Sequence, residues 1–132
     1  MLKFQLKSGR IVEMNLAPVE TALALYRAVV QECQQAKIDL TIKEGMTLLE
    51  LLGKNGEPLL RVMGSEYVME AIKDCCPKVL YNKQKFSMDS FEDEKARADY
   101  FGVMILVALE NLIPFFPQAR SISNAILSLF LM

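Results

Sequence analysis

The chain has 132 residues, the size of one domain, and its 52% apolar and 23% charged residues describe a folded chain rather than a disordered one. Fifteen basic and sixteen acidic side chains leave a net charge of −1, without the basic excess that nucleic acid requires. Histidine is absent, which removes the commonest general base and the commonest zinc ligand and points away from an enzyme.

Leu2, Phe4 and Leu6 alternate with polar residues, and so do Val12, Met14 and Leu16. Lys7-Ser8-Gly9-Arg10 separates the two runs, with a glycine free to take positive φ. This predicts a β-hairpin over about residues 2–16 with one apolar face. A lone hairpin is marginal in water, so another element must cover that face. The same alternation breaks up the apolar stretch that a secretory signal requires.

Pro18 suits the first turn of a helix. Val19, Ala22, Leu23, Tyr26, Val29, Val30 and Cys33 then recur at helical spacing, which predicts a helix packed on the hairpin. Residues 38–42 alternate briefly, as a third strand or an extended connection would. Residues 46–52 read as a short helix stopped at Gly53. Lys54-Asn55-Gly56-Glu57-Pro58 reads as a turn, and Leu59, Leu60, Val62 and Met63 as a short apolar element ending at Gly64.

Ser65 caps the next predicted helix, whose inner stripe is Val68, Met69, Ile72 and Cys76, with Pro77 at its end. Tyr81-Asn82-Lys83-Gln84-Lys85-Phe86 reads as a polar turn between two extended pieces. Ser90-Phe91-Glu92-Asp93 has the spacing of a capping box. It opens a long helix with an expected inner stripe of Phe101, Met104, Ile105, Ala108, Leu109 and Leu112. Pro114 and Pro117 end it, and a last helix begins near Ser121 or Ser123. The helical body is thus about residues 18–113, followed by an apolar helical segment over about 118–132. The fold class is α+β: one mainly helical domain with an N-terminal antiparallel hairpin. The apolar run 101–109 is too short to cross a bilayer, which needs about 20 residues.

Cys33, Cys75 and Cys76 are odd in number and lack CxxC spacing, so they read as buried thiols in a reducing compartment. No metal or cofactor is expected. No phosphate-binding loop is present, and Gly53-Lys54-Asn55-Gly56 reads as a turn rather than an anion site. Glu92, Asp93, Glu94 and Asp99 form the densest carboxylate group, and a solvated face complementing the helix dipole accounts for them. Tyr81, Phe86, Phe91 and Tyr100 stand near Lys83 and Lys85, a pairing that single-stranded nucleic acid favours. The adjoining acidic run opposes it, and core packing explains the aromatics better.

The last third carries more apolar surface than a small core needs, and the chain has eight methionines. Adaptable apolar surface marks a partner site. Phe115, Phe116, Ile126, Leu129 and Phe130 are the expected contact residues. A homo-oligomer contact, or closure of the chain's own core, is the rival account.

The order and spacing of four stretches resemble the small tail assembly chaperones of long-tailed bacteriophages and prophages. They are Leu2-Lys3-Phe4-Gln5-Leu6-Lys7-Ser8-Gly9-Arg10 with the run to Pro18; Ala24-Leu25-Tyr26-Arg27-Ala28-Val29-Val30; the turn from Tyr81 to Phe86; and the long helix that Phe91 leads into and Glu110-Asn111-Leu112-Ile113-Pro114-Phe115-Phe116 closes. Residues 38–64 match less clearly. The resemblance implies a non-catalytic protein of the host cytoplasm, absent from the finished virion. It implies a client, the long helical tape measure protein, kept soluble while the tail tube grows. It also implies that a longer frameshifted form contacts the tube subunit. No membrane partner is expected. A structural tail or head–tail connector subunit, or a small regulatory binding module, stands as the alternative.

Overall fold

The alternation at the N-terminus does produce paired strands. In a computed structural model describing residues 1–37, 61–62 and 64–132, β1 (Leu2–Gln5) pairs antiparallel with β2 (Ile11–Met14). Gly9 takes φ 93° in the connecting turn, the conformation anticipated for it. The hairpin is half of a four-stranded sheet. β2 also pairs with β3 (Val79–Tyr81), and β3 with β4 (Gln84–Lys85), in the order β1-β2-β3-β4. Asn82 and Lys83 make the two-residue turn between β3 and β4, at φ 52° and 65°. Positive φ at both central residues is the type I′ geometry that matches strand twist.

Phe4, Val12 and Tyr81 form one row across the sheet, and Leu2, Met14 and Val79 the next. Val12, Met14, Val79 and Tyr81 are buried, so this face lies on the core. Among the described residues four α-helices pack around it. α1 (Val19–Gln35) follows Pro18, which stands just before the helix as its cap rather than inside the first turn. α1 lies chiefly against α2 (Glu66–Asp74) and then α3 (Glu94–Leu112), not principally on the hairpin as expected. Its buried positions are Ala22, Leu25, Ala28 and Cys33, while Val19 is exposed. The inner face is therefore rotated toward Leu25 and Ala28, because α2 and α3 receive it.

Ser65 caps α2 as anticipated, accepting from the Val68 N–H at 3.4 Å. Val68, Ile72 and Cys76 are buried along its inner stripe. The capping of α3 differs from expectation. Asp93 caps it, accepting from the Ala96 N–H at 2.7 Å, and Ser90 lies in a preceding 3₁₀ turn, Met88–Phe91. The stripe expected for α3 is matched except at its start. Met104 is buried, and Ile105, Ala108, Leu109 and Leu112 are partly buried against the core, but Phe101 is exposed; Ala96, Asp99, Gly102, Val103, Leu106, Val107, Glu110 and Asn111, which the stripe left out, are buried as well. Glu94–Phe115 is long and apolar enough to cross a membrane by length and composition, whereas the run from 101, even extended to Phe116, had been expected to be too short and too polar; half of its most apolar window is buried in the protein.

The prolines act as expected. α3 stops at Leu112 and gives way to 3₁₀ turns at Ile113–Phe115 and Pro117–Ala119. α4 (Arg120–Leu127) follows without a side-chain cap, so neither Ser121 nor Ser123 starts it. The chain then turns and reaches the residue after β1, where Leu131 forms an antiparallel bridge with Leu6. The segment expected to be helical to its end is helical only to Leu127. Elements expected at 38–42, 46–52, 54–58 and 59–63 lie outside the described residues, apart from Arg61 and the buried Val62.

Lys83 carries a side chain in a left-handed conformation that costs an L-residue about 1–2 kcal/mol. Lys83→Gly is expected to stabilise the fold by about 1 kcal/mol, read from the urea midpoint at unchanged slope.

Candidate functional site

α3 carries carboxylates into the core, and each finds a partner on a different element. Asp99 was expected on a solvated face; it is 7% exposed. The Ser8 hydroxyl donates to its Oδ2 at 2.8 Å and the Tyr81 hydroxyl at 2.6 Å. Arg10 in turn donates to the Tyr81 hydroxyl oxygen at 2.9 Å and approaches Asp93 at 3.8 Å. Its guanidinium lies 5.8 Å from the Tyr81 ring centre. Both hairpins of the sheet are thus tied to α3 through one carboxylate. Glu92, Asp93 and Glu94 are exposed at the helix start, as the dipole argument requires.

The aromatic residues beside Lys83 and Lys85 close the same end. Phe91 packs on Tyr81, Phe86 and Tyr100, with ring centres 4.7, 5.5 and 5.2 Å away. This is core packing, the account preferred over nucleic-acid stacking. Burial pushes the Tyr81 phenol up to about 12, and its hydrogen bond to Asp99 adds to the shift, against the opposing bond from Arg10.

The other end of α3 faces the last residues of the chain. A groove of about 580 Å³ runs between β1, α4 and residues 131–132. Leu2, Phe4, Leu127, Leu131 and Met132 supply its apolar walls. Glu110, buried at its edge, accepts from Arg120 at 3.2 Å. A smaller cavity of about 170 Å³ lies between Leu6, Asp99, Gly102, Leu129 and Phe130. Phe130 covers Gly102 so closely that a Cβ there would stand 3.2 Å from the ring.

The five residues expected to contact a partner occupy different places. Leu129 is exposed and Phe130 half-buried beside the smaller cavity. Ile126 is half-buried on α4. Phe115 is exposed, and Phe116 packs on Tyr26 of α1 at 5.4 Å. Both phenylalanines lie beyond the end of α3, about 15 Å along its axis from Gly102 and Phe130. They do not share a face with Leu129 and Phe130. The groove residues Leu2 and Phe4 were read only as hairpin face; their alternation was the signal, but what covers them is set by the distant residues 127–132.

Cys33, Cys75 and Cys76 are buried free thiols. Burial holds Cys75 up at about 11 and Cys76 at about 12, so both stay protonated and unreactive near neutrality. Among the described residues no group of three or more histidine, cysteine or carboxylate side chains is placed to hold a metal ion. Compared with family models, with curated proteins and with solved structures, the chain gives no match.

Two measurements check this geometry. An unfolded tyrosine ionises near 10, so the folded state holds the Tyr81 proton more tightly. The stability this supplies is full below about pH 10 and drains as pH rises through about 12. A tyrosine step at about pH 12 is expected in ultraviolet titration, and Tyr81→Phe should remove that step and flatten the alkaline loss of stability. Separately, Gly102→Leu should force Phe130 off α3, and hydrogen exchange at the Lys7 amide, which donates to the Phe130 carbonyl at 2.9 Å, should speed up.

Proposed function

We propose that this chain is a non-catalytic tail assembly chaperone of a long-tailed bacteriophage or prophage, binding the tape measure protein and keeping it soluble while the tail tube grows. The observation that carries the reading is the apolar groove between β1, α4 and the last residues of the chain. Leu2 and Met132, which line it, are 40% and 76% exposed. Exposed apolar side chains gathered beside a groove this size are what an apolar client needs, and burying them on the client is the driving force. The resemblance of the four sequence stretches supplies the client's identity. Many similar weak sites along one long client would be occupied by many copies of the chaperone, each adding to avidity. The work is done in the host cytoplasm, and the protein leaves before the virion is complete. A longer frameshifted form would carry the contact to the tube subunit.

The test is co-expression with the tape measure protein of the same genome, scored by pull-down and client solubility. The wild-type chain is expected to hold the client in a soluble complex. The combined variant Leu2→Ser and Met132→Ser changes exposed side chains that line the groove and should stay folded. It should weaken the complex at least about tenfold, a loss of about 1.4 kcal/mol. Phe115→Ser, which does not line the groove, should weaken it much less. No complex and no gain in client solubility would overturn the reading, and recovery of the chain in purified particles would then mark it as a structural tail or connector subunit.

A further inference from the structure

The groove has fixed walls and one attached wall. Leu2, Phe4, Asn124 and Leu127 belong to β1 and α4, whereas Ser128, Leu131 and Met132 belong to the segment after α4. Within that segment the N–H groups of residues 129–131 donate back to Ile126 and Leu127 of α4. Its hold on the rest of the fold is short. The Lys7 N–H donates to the Phe130 carbonyl at 2.9 Å, the Met132 N–H donates to the Gln5 carbonyl at 3.0 Å, and Leu131 bridges Leu6. The Phe130 side chain rests on α3 at Gly102, where a Cβ would stand 3.2 Å from its Cβ and Cδ1. The cavity of about 170 Å³ lies between this segment and Leu6, Asp99 and Gly102, so the contact is incompletely packed. α4 is anchored separately, by Arg120 on Glu110 and by the buried Ile122 and Leu127. A segment held by so few contacts opens at a lower free energy than the core beneath it.

We propose that residues 128–132 form a strap whose docking completes the groove and whose opening dismantles it, with Gly102 as the positioning residue that sets the balance through Phe130. The inference rests on the client-binding reading of the groove and specifies how that site is regulated. Gly102 does not line the groove. Its part is to let Phe130 seat, which brings Leu131 to Leu6 and Met132 to Gln5, where both become groove wall. With the strap open, Leu2 and Phe4 keep their places on β1 but lose the apolar side chains beside them. Client affinity then falls in proportion to the fraction of molecules still docked. The coupling is reciprocal, so a client that binds only the docked state holds the strap shut. A helical client suits this site. The strap already occupies the Gln5 carbonyl and the Lys7 N–H, and it leaves apolar side chains for a helix face to contact.

Hydrogen exchange on the full chain, alone and in its co-expressed complex with the tape measure protein, tests the strap. In the chain alone the Lys7 and Met132 amides are expected to exchange together, and at least about tenfold faster than the Val107 amide inside α3. Lys7 exchanging no faster than Val107 would overturn the proposal, since the strap would then open only when the whole fold does. In the complex both strap amides should slow at least about tenfold. Unchanged exchange there would overturn the strap and leave the chaperone reading standing, whereas no complex at all would overturn both. Gly102→Leu should weaken the complex at least about tenfold. Adding Phe130→Ala, which clears the space the leucine takes, should restore binding at least about threefold and slow Lys7 exchange again. A fold that was merely destabilised would lose more from the second truncation. An unrestored double variant, or Gly102→Leu that frees the strap and still binds the client as wild type does, would overturn the proposal. Should Gly102→Leu fail to fold, Gly102→Ala presses the same ring with a single methyl group, and the same directions are expected at smaller size.

Discussion

The fold depends on how α3 is fixed inside it. From Gly102 to Leu112 every residue of α3 is buried or half-buried, so this part of the helix has no single apolar stripe to choose its rotation. Three buried polar residues make the choice instead. Asp99 needs Ser8 and Tyr81, which places both hairpins. Glu110 needs Arg120, which places the start of α4. Asn111 accepts from the Ala17 N–H at 2.8 Å and donates to the Val107 carbonyl at 2.8 Å, which places the lead into α1. Rotating α3 would leave these groups without partners, at about 1–3 kcal/mol each. Apolar burial drives the collapse, and the polar contacts select one arrangement of it.

These contacts also show which parts of the fold a single sequence can reveal. Local signals were readable because their physics is local. The strands of the N-terminal hairpin, the Ser65 cap, the turn at Asn82 and Lys83 and the breaks at Pro114 and Pro117 each follow from residues within one turn or strand. The pairing of β2 with β3 was not readable, because it joins segments more than sixty residues apart and their alternation is compatible with many partners. Asp99 looked like its acidic neighbours because only the folded chain brings Ser8 and Tyr81 to it. Phe101 looked buried because it continues the apolar spacing of Met104, Ile105 and Ala108; the structure buries Asp99 and exposes Phe101 instead.

The site was legible to a smaller degree. The excess of apolar side chains in the last third was visible from composition, and Leu129 does lie exposed. Its division was not visible. The 3₁₀ turns after α3 carry Phe115 and Phe116 toward α1, while α4 and the turn after it carry Leu129 and Phe130 back to β1 and Gly102. Two apolar clusters adjacent in sequence thereby reach separate places. The walls of the groove come from both ends of the chain, a combination that periodicity within either end does not reveal.

The two edges of the sheet are treated differently. β4 is two residues long, exposed and charged at Lys85, which discourages further pairing. β1 is bordered by residues 130–132, which pair with it at Gln5 and Lys7. The groove beside β1 is bounded by elements that the buried polar contacts of α3 hold in place, with Glu110 and Arg120 at its edge. A groove already formed asks for little ordering of its own side chains on binding, so more of the apolar contact energy is available for affinity. The polar contacts that select the fold thus also keep an apolar site open at the surface, where collapse onto the chain's own side chains would otherwise fill it.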